Sequence, residues 1–242
     1  MEQFFTQQHH IPGYLCGQEG RLKLSGLLHY MEEASSGHLE AFGCPYEQLF
    51  LQGQVFVLTK MAVEIVRMPQ NGETILVKTA PCPPKGALFP RLVLVEDQDG
   101  KQLVKAKTIW VLIDPQSRKV LRSTAFTCEL PTIPGDVREW AGECKITPPS
   151  QLSFLAQRPV RYSDLDCNRH VNNAVYGDIL CDYLPANILA EKELYRFLIH
   201  YENEACLGEE IRINGGQPDQ NSYYIAGALD NKPCFQAEVR FR

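Results

Sequence analysis

The chain has no apolar run approaching the ~20 residues that a membrane-spanning helix needs, so a helical membrane span is not expected. It also lacks a basic excess. Lys plus Arg number 24 against 29 Asp plus Glu, a net charge of −5, which argues against a surface that tracks nucleic-acid phosphates. No Cys-x-x-Cys pair, zinc-ligand spacing or phosphate-binding glycine loop occurs, so no cofactor or metal is expected. The first 30 residues do not combine a basic start, an apolar centre and a small-residue cleavage site. A cytoplasmic location is therefore expected, and with it nine scattered, reduced cysteines packed as small apolar residues.

What the chain does have is the composition of an ordinary globular protein. Its 242 residues are 44% apolar and 22% charged, and suit one large domain or two small ones. One pattern occurs twice. In the first copy Leu27, Leu28, Met31, Ala34, Leu39 and Phe42 mark a helix over 24–42, ended by Gly43. Strand-like runs follow at 55–58 leading into 61–66, then at 73–79, 91–96 and 103–113, with a hairpin turn at 96–100.

The second copy opens with a strand-like 159–162 and a polar segment, then a helix over 173–183. Strand-like 195–202, 210–214, 223–229 and 234–241 complete it. The proline-bearing stretch between the copies reads as a linker. The boundaries are a first domain at 1–134, a linker at 135–155 and a second domain at 156–242. A helix followed by consecutive hairpins predicts an α+β fold, each unit an antiparallel sheet wrapped around a central helix. Separate small sheets would leave bare edges, so the two sheets are expected to pair side by side.

The polar segment at 161–176 reads Arg-Tyr-Ser-Asp-Leu-Asp-Cys-Asn-Arg-His-Val-Asn-Asn-Ala-Val-Tyr. Asp166, Asn168 and His170 alternate strictly, so an extended backbone would turn all three to one face. A carboxylate, an amide and an imidazole at one spot can orient a small polar group and move a proton. Capping of the next helix by Asn172 or Asn173 explains one or two of the polar residues, but not the alternating three.

This segment resembles the active-site run of acyl-ACP thioesterases, tandem hotdog-fold hydrolases of fatty acyl-ACP. Supporting stretches are Leu28-His29-Tyr30-Met31-Glu32-Glu33-Ala34, Gly72-Glu73-Thr74, Ile109-Trp110-Val111-Leu112-Ile113-Asp114 and Tyr201-Glu202-Asn203-Glu204. The resemblance implies two tandem hotdog domains and a catalytic set of Asp166, Asn168, His170 and Glu204. It implies an acyl carrier protein bearing a fatty acyl thioester as the partner. Plant members commonly carry a cysteine directly after the glutamate. Here Ala205 holds that place and Cys206 follows, and a one-residue slip along a strand turns a side chain to the other face. A general-base-activated water is therefore expected in place of a cysteine nucleophile. Glu204 would be the base, provided that it lies in a poorly hydrated pocket.

In the first copy the slots matching Asp166, Asn168 and His170 are read as Gln18, Gly20 and Leu22, and that of Glu204 as Met68. This predicts one active site per chain, with Met68 and Leu22 belonging to an acyl tunnel in the first domain. Glu32 and Glu33 are read as the solvated side of the first helix, and Trp110 as core. Arg158, Arg161 and Arg169 are the candidates for docking an acidic carrier. The sequence leaves open acyl-CoA as carrier, a hotdog hydratase or dehydratase, a non-catalytic acyl-binding sensor, and a homodimer.

Overall fold

The computed structural model describes residues 4–136, 139–140 and 143–242. The first unit begins with β1 (Phe5–His10), a strand that the sequence did not announce. Its inward positions are Phe5, Gln7 and His9, so the face that should display apolar alternation is mostly polar. Helix α1 (Leu24–Ala41) buries Leu24, Leu27, Leu28, Met31, Ala34 and His38, a stripe at three- and four-residue intervals. Gly43 follows its end at φ 74°, the left-handed conformation that glycine adopts without steric cost.

A second unannounced element, the short helix α2 (Tyr46–Leu51), precedes β2 (Val55–Ile65), β3 (Thr74–Pro81), β4 (Leu88–Asp97) and β5 (Gln102–Ile113). The runs 55–58 and 61–66 belong to one strand, β2, with a bulge between Leu58 and Lys60.

The second unit holds β6 (Ser153–Pro159), α3 (Val175–Asp182), α4 (Ala186–Glu191), β7 (Leu194–Tyr201), β8 (Glu210–Asp219), β9 (Ser222–Leu229) and β10 (Lys232–Phe241). The expected strand at 159–162 lies elsewhere: β6 ends at Pro159, and Tyr162–Asp164 form a 3-10 turn. β6 is an edge strand that exposes Phe154 and Leu155, so burial does not impose the inside–outside alternation by which strands are read.

The ten strands among the described residues form one antiparallel sheet in the order β1-β3-β4-β5-β2-β7-β10-β9-β8-β6. The half-sheets meet at β2 and β7, where Met61 faces Ile199 and Val63 faces Phe197. A single apolar core runs beneath both halves, from Ile75 and Val77 through Met31 and Ile179 to Phe235. The linker does more than cross between units. Cys144 and Ile146 cover Ala62, Ile109 and Leu198 on the sheet's other face, and Trp140 packs with Ile133 and Cys82. One expectation about the cysteines is corrected. Cys44, just beyond α1, is disulfide-bonded to Cys128 in the segment after β5, because the two chain segments meet beside α2.

Helices α1 and α3 touch at their N-terminal ends. A Cβ on Gly177 would lie 3.0 Å from the Ser25 backbone nitrogen, and Ser25 Oγ donates to Asp178 Oδ1 at 2.6 Å. Gly177→Val is expected to overpack this crossing and lower stability by ~1–3 kcal/mol, read as a fall in Tm; an unchanged Tm would show that the helices separate freely.

Candidate functional site

The polar segment is not an extended strand. It closes into a tight loop, in which the Asp166 N–H donates to the His170 carbonyl at 2.9 Å and the Arg169 N–H to the Asp166 carbonyl at 3.1 Å. Arg169 adopts φ 67° at the bend, a conformation that costs a non-glycine residue roughly 1–2 kcal/mol. Asp166 holds this bend from inside. Its Oδ1 accepts the backbone N–H groups of Asn168 (2.8 Å) and His170 (3.3 Å). Its carboxylate therefore serves the loop backbone, and the alternation does not put the three side chains on one extended face.

Below the loop, Asp164 is buried and gripped by both Arg158 terminal nitrogens at 2.9 Å and by the Arg161 N–H at 2.8 Å. Burial works against its charge, but these donors hold its carboxyl below the usual range. Arg158 is thus engaged internally and withdraws from the proposed docking patch. Arg161 and Arg169 are exposed.

Each remaining member meets a partner that the motif did not predict. Asn168 Oδ1 accepts the Tyr46 hydroxyl of α2 at 2.7 Å, which turns the amide N–H groups the other way. His170 Nε2 lies 3.3 Å from Glu204 Oε2, and the same oxygen pairs with Arg118. Arg118 comes from the turn after β5, at φ 59°, where Asp114 binds the Ser117 N–H and hydroxyl. The first half thereby supplies a cation to the second half's motif. No feature of the motif signals this contact, and only the turn itself is legible at Asp114-Pro115. Glu204 lies on the loop between β7 and β8, not on a strand, and its side chain is 33% exposed. The dry pocket expected for it is absent.

Ala205 is fully buried and Cys206 exposed, so neighbouring residues do face opposite ways. Partial burial, Glu209 and Glu204 push the Cys206 thiol up, which disfavours the thiolate that a nucleophile needs.

The first copy repeats this backbone bond for bond. Gly17 N–H bonds the Arg21 carbonyl as Asp166 does His170; Leu22 N–H bonds Pro69 as Val171 does Ala205; Ile11 N–H bonds Glu73 as Val160 does Glu209. The bridges Arg21 to Gln70 and His170 to Cys206 match as well. The slots for Asp166, Asn168 and His170 are therefore Gly17, Glu19 and Arg21, one residue from those read by spacing, while Met68 keeps its place opposite Glu204. The first copy retains two titratable residues, not none, but has no imidazole opposite His170 and no carboxylate opposite Asp166 or Glu204.

From the motif loop a groove of about 780 Å³ runs into the first half, past Asp166, Cys167, Asn168 and Asn172 to Phe56, Phe89, Trp110 and Phe126. Phe56, Phe89 and Phe126 meet edge to face, with centroids 5.0 to 5.8 Å apart. Trp110 thus lines the groove, whereas Met68 and Leu22 belong to the core. Glu32 is corrected too. It borders the groove, and Asn172 Nδ2 donates to its Oε2 at 3.4 Å; only Glu33 is exposed. Arg91 also lines the groove. It is buried without a carboxylate partner among the described residues, and donates to His38 Nδ1 and Thr79 Oγ1, each at 3.1 Å.

Models of the acyl-ACP thioesterase N-terminal and C-terminal domains match residues 2–129 and 149–232. A chloroplastic acyl-[acyl-carrier-protein] hydrolase of Cuphea viscosissima is 25% identical over 223 residues, covering 86% of this chain and 53% of the plant protein. The chain thus spans about half the length of that relative. Among solved structures, a putative oleoyl thioesterase from Lactobacillus plantarum aligns with a TM-score of 0.83 at 25% identity, covering 99% of this chain and 95% of that one. A 12:0-ACP thioesterase from Umbellularia californica aligns at 0.82 and 18% identity over 100% and 98%, a likeness of fold.

The groove wall carries a pH-dependent element. Burial, then the Arg91 charge, push the His38 imidazole down from 6.5 to about 4, and its Nδ1 accepts only when neutral. The unfolded chain therefore binds a proton that the folded chain refuses between those two values, so stability falls as pH drops from 6.5 towards 4. On the order of 1–3 kcal/mol is expected to be lost across this window. Denaturant titrations should give a shallower slope for His38→Gln than for the parent, and equal slopes would refute the assignment.

Proposed function

Because this chain belongs to the acyl-ACP thioesterase family, we propose that it hydrolyses fatty acyl-ACP to a free fatty acid and the carrier thiol, using an activated water. The observation that carries this reading is that a groove lined by aromatic rings opens at Asn168 of the motif loop, two residues along that loop from His170, which faces Glu204. An acyl tail buries its methylenes among Phe56, Phe89, Trp110 and Phe126, which leaves the thioester at the motif loop.

In the mechanism that follows, Glu204 acts without the dry pocket first expected for it: His170 and Arg118 hold its Oε2, and Oε1 takes a proton from water as its oxygen adds to the thioester carbon. Asn168, its amide turned by Tyr46, donates to the carbonyl oxygen. The C–S bond then breaks, and a proton delivered through His170 leaves with the thiol. Asp166 keeps the loop in register and touches no substrate atom. The first half measures the chain, and the second half cuts it.

Arg161 and Arg169 flank the loop on its exposed side and are the residues that would meet an acidic carrier protein. An acyl-CoA, anionic as well, fits the same patch.

Incubation of the purified chain with acyl-ACPs of several lengths should release free thiol and fatty acid. Glu204→Gln should lower kcat by ~10²–10⁴-fold; full hydrolysis by that variant would sink its role as base. If neither ACP nor CoA thioesters release thiol, the chain is an acyl-binding module instead. Exchange of residues 1–134 for those of a relative with another chain preference should move the product length with the exchanged half.

A further inference from the structure

Glu32 has no part in the mechanism above, yet its position gives it one. It lies midway along α1 and borders the groove together with Asp166, Asn168 and Asn172. It also borders a void of about 10 Å³ lined by Asn173, Ala174 and Tyr201. Glu32 and Asn168 thus line the same groove in which the proposed function places the thioester. We propose that Glu32 is a further catalytic residue, whose carboxylic acid donates a hydrogen bond to the thioester carbonyl oxygen alongside the Asn168 amide. This rests on the hydrolytic reading of the same site.

The surrounding hydrogen bonds fix which Glu32 oxygen Asn172 engages. Asn172 Oδ1 accepts the Ala174 N–H at 2.8 Å, so the amide nitrogen of Asn172 must face Glu32. That nitrogen donates to Glu32 Oε2 at 3.4 Å, which makes Oε2 the accepting oxygen of the acid. The Asn173 amide hydrogen-bonds the same carboxyl, and the proposed donor is the oxygen turned to the groove, which carries the proton.

Burial and the charges around the group favour its neutral form. From the motif loop it faces Asp166, and Glu33 is its neighbour on α1. From β7 the Tyr201 hydroxyl lies close by and donates to the Asn173 carbonyl at 3.0 Å. No Lys, Arg or His forms an ion pair with Glu32 among the described residues. Burial first, then the Asp166 and Glu33 charges, push its carboxyl up, against the opposing Asn172 and Asn173 hydrogen bonds. An ionised Glu32 would repel the oxyanion; the neutral acid stabilises it, as a protonated carboxyl can in an oxyanion hole.

A raised carboxyl is protonated below its own pKa and ionises above it, so its contribution declines as pH rises. The test is the pH dependence of kcat for the parent, Glu32→Gln and Glu32→Leu on one acyl-ACP, with the acid C=O infrared band as a second readout. Glu32→Gln keeps a donor that does not titrate. It should lose no more than about tenfold in kcat and no longer decline at alkaline pH, whereas Glu32→Leu should lose ~10²–10³-fold with KM little changed.

A carboxylic-acid band at neutral pH, absent from Glu32→Gln, would support the proposal even in protein that releases no thiol. That last result would count against the hydrolytic reading alone. The proposal is overturned if Glu32→Leu keeps full kcat, if Glu32→Gln is as impaired as Glu32→Leu, or if the acid band is missing. Should Glu32→Leu fail to fold, the Glu32→Gln profile decides, and an unchanged alkaline decline refutes the role.

Discussion

Five residue pairs between β2 and β7, from Lys60 opposite His200 to Glu64 opposite Arg196, join the two half-sheets into one. Each half alone would leave an apolar strand edge open to solvent, and neither would hold a complete site. The seam fixes the second half's site against three parts of the first half: Tyr46 on α2 and Glu32 on α1 meet the motif loop, and Arg118 in the turn after β5 meets Glu204. The groove lies almost wholly in the first half and ends at residues of the second. Pairing of two similar sheets is thus what converts a polar loop into a place where an acyl chain and a reacting group meet.

Both copies preserve the loop backbone, and only its side chains differ. The bend is a glycine in one copy, Gly20 at φ 69°, and Arg169 at φ 67° in the other. A glycine adopts this conformation freely, while an arginine needs support. Asp166, where the first copy has Gly17, provides that support by binding two backbone N–H groups. In this light the aspartate and the strained arginine belong together. The carboxylate permits a charged side chain at the exposed tip, and the first copy needs neither.

The α1 stripe and the paired hairpins were legible because burial imposes a period on them. β1 was not, because Gln7 and His9 occupy its inward face, and β6 was not, because an exposed edge strand imposes no period. Within the site, the motif named His170 and Asn168, and the family spacing named Glu204. Their partners were out of reach. Arg118 and Tyr46 lie 86 and 122 residues from the groups they touch, and no local pattern links them. Helical spacing also misled at Glu32, since position on a polar face says nothing about whether another unit covers that face. The one-residue error in matching the copies arose from aligning helices, where an 18-residue α1 and an 8-residue α3 share no start.

Four carboxyl groups lie within or beside the motif, and what separates them is the nature of their partners. Asp164 has a bidentate arginine, Asp166 has backbone N–H groups, Glu204 has Arg118 and His170, and Glu32 has only amides and other acids. Water-mediated thioester cleavage needs a base that is ionised and a donor that is not, within a few ångströms of one carbonyl. Two carboxyl groups can fill both roles only if their surroundings drive them apart. Arg118 and His170 are the partners of one. Burial next to Asp166 favours the neutral form of the other. The first half contributes both the cation and the buried acid, so the seam that builds the groove also sets the division of charge at its mouth.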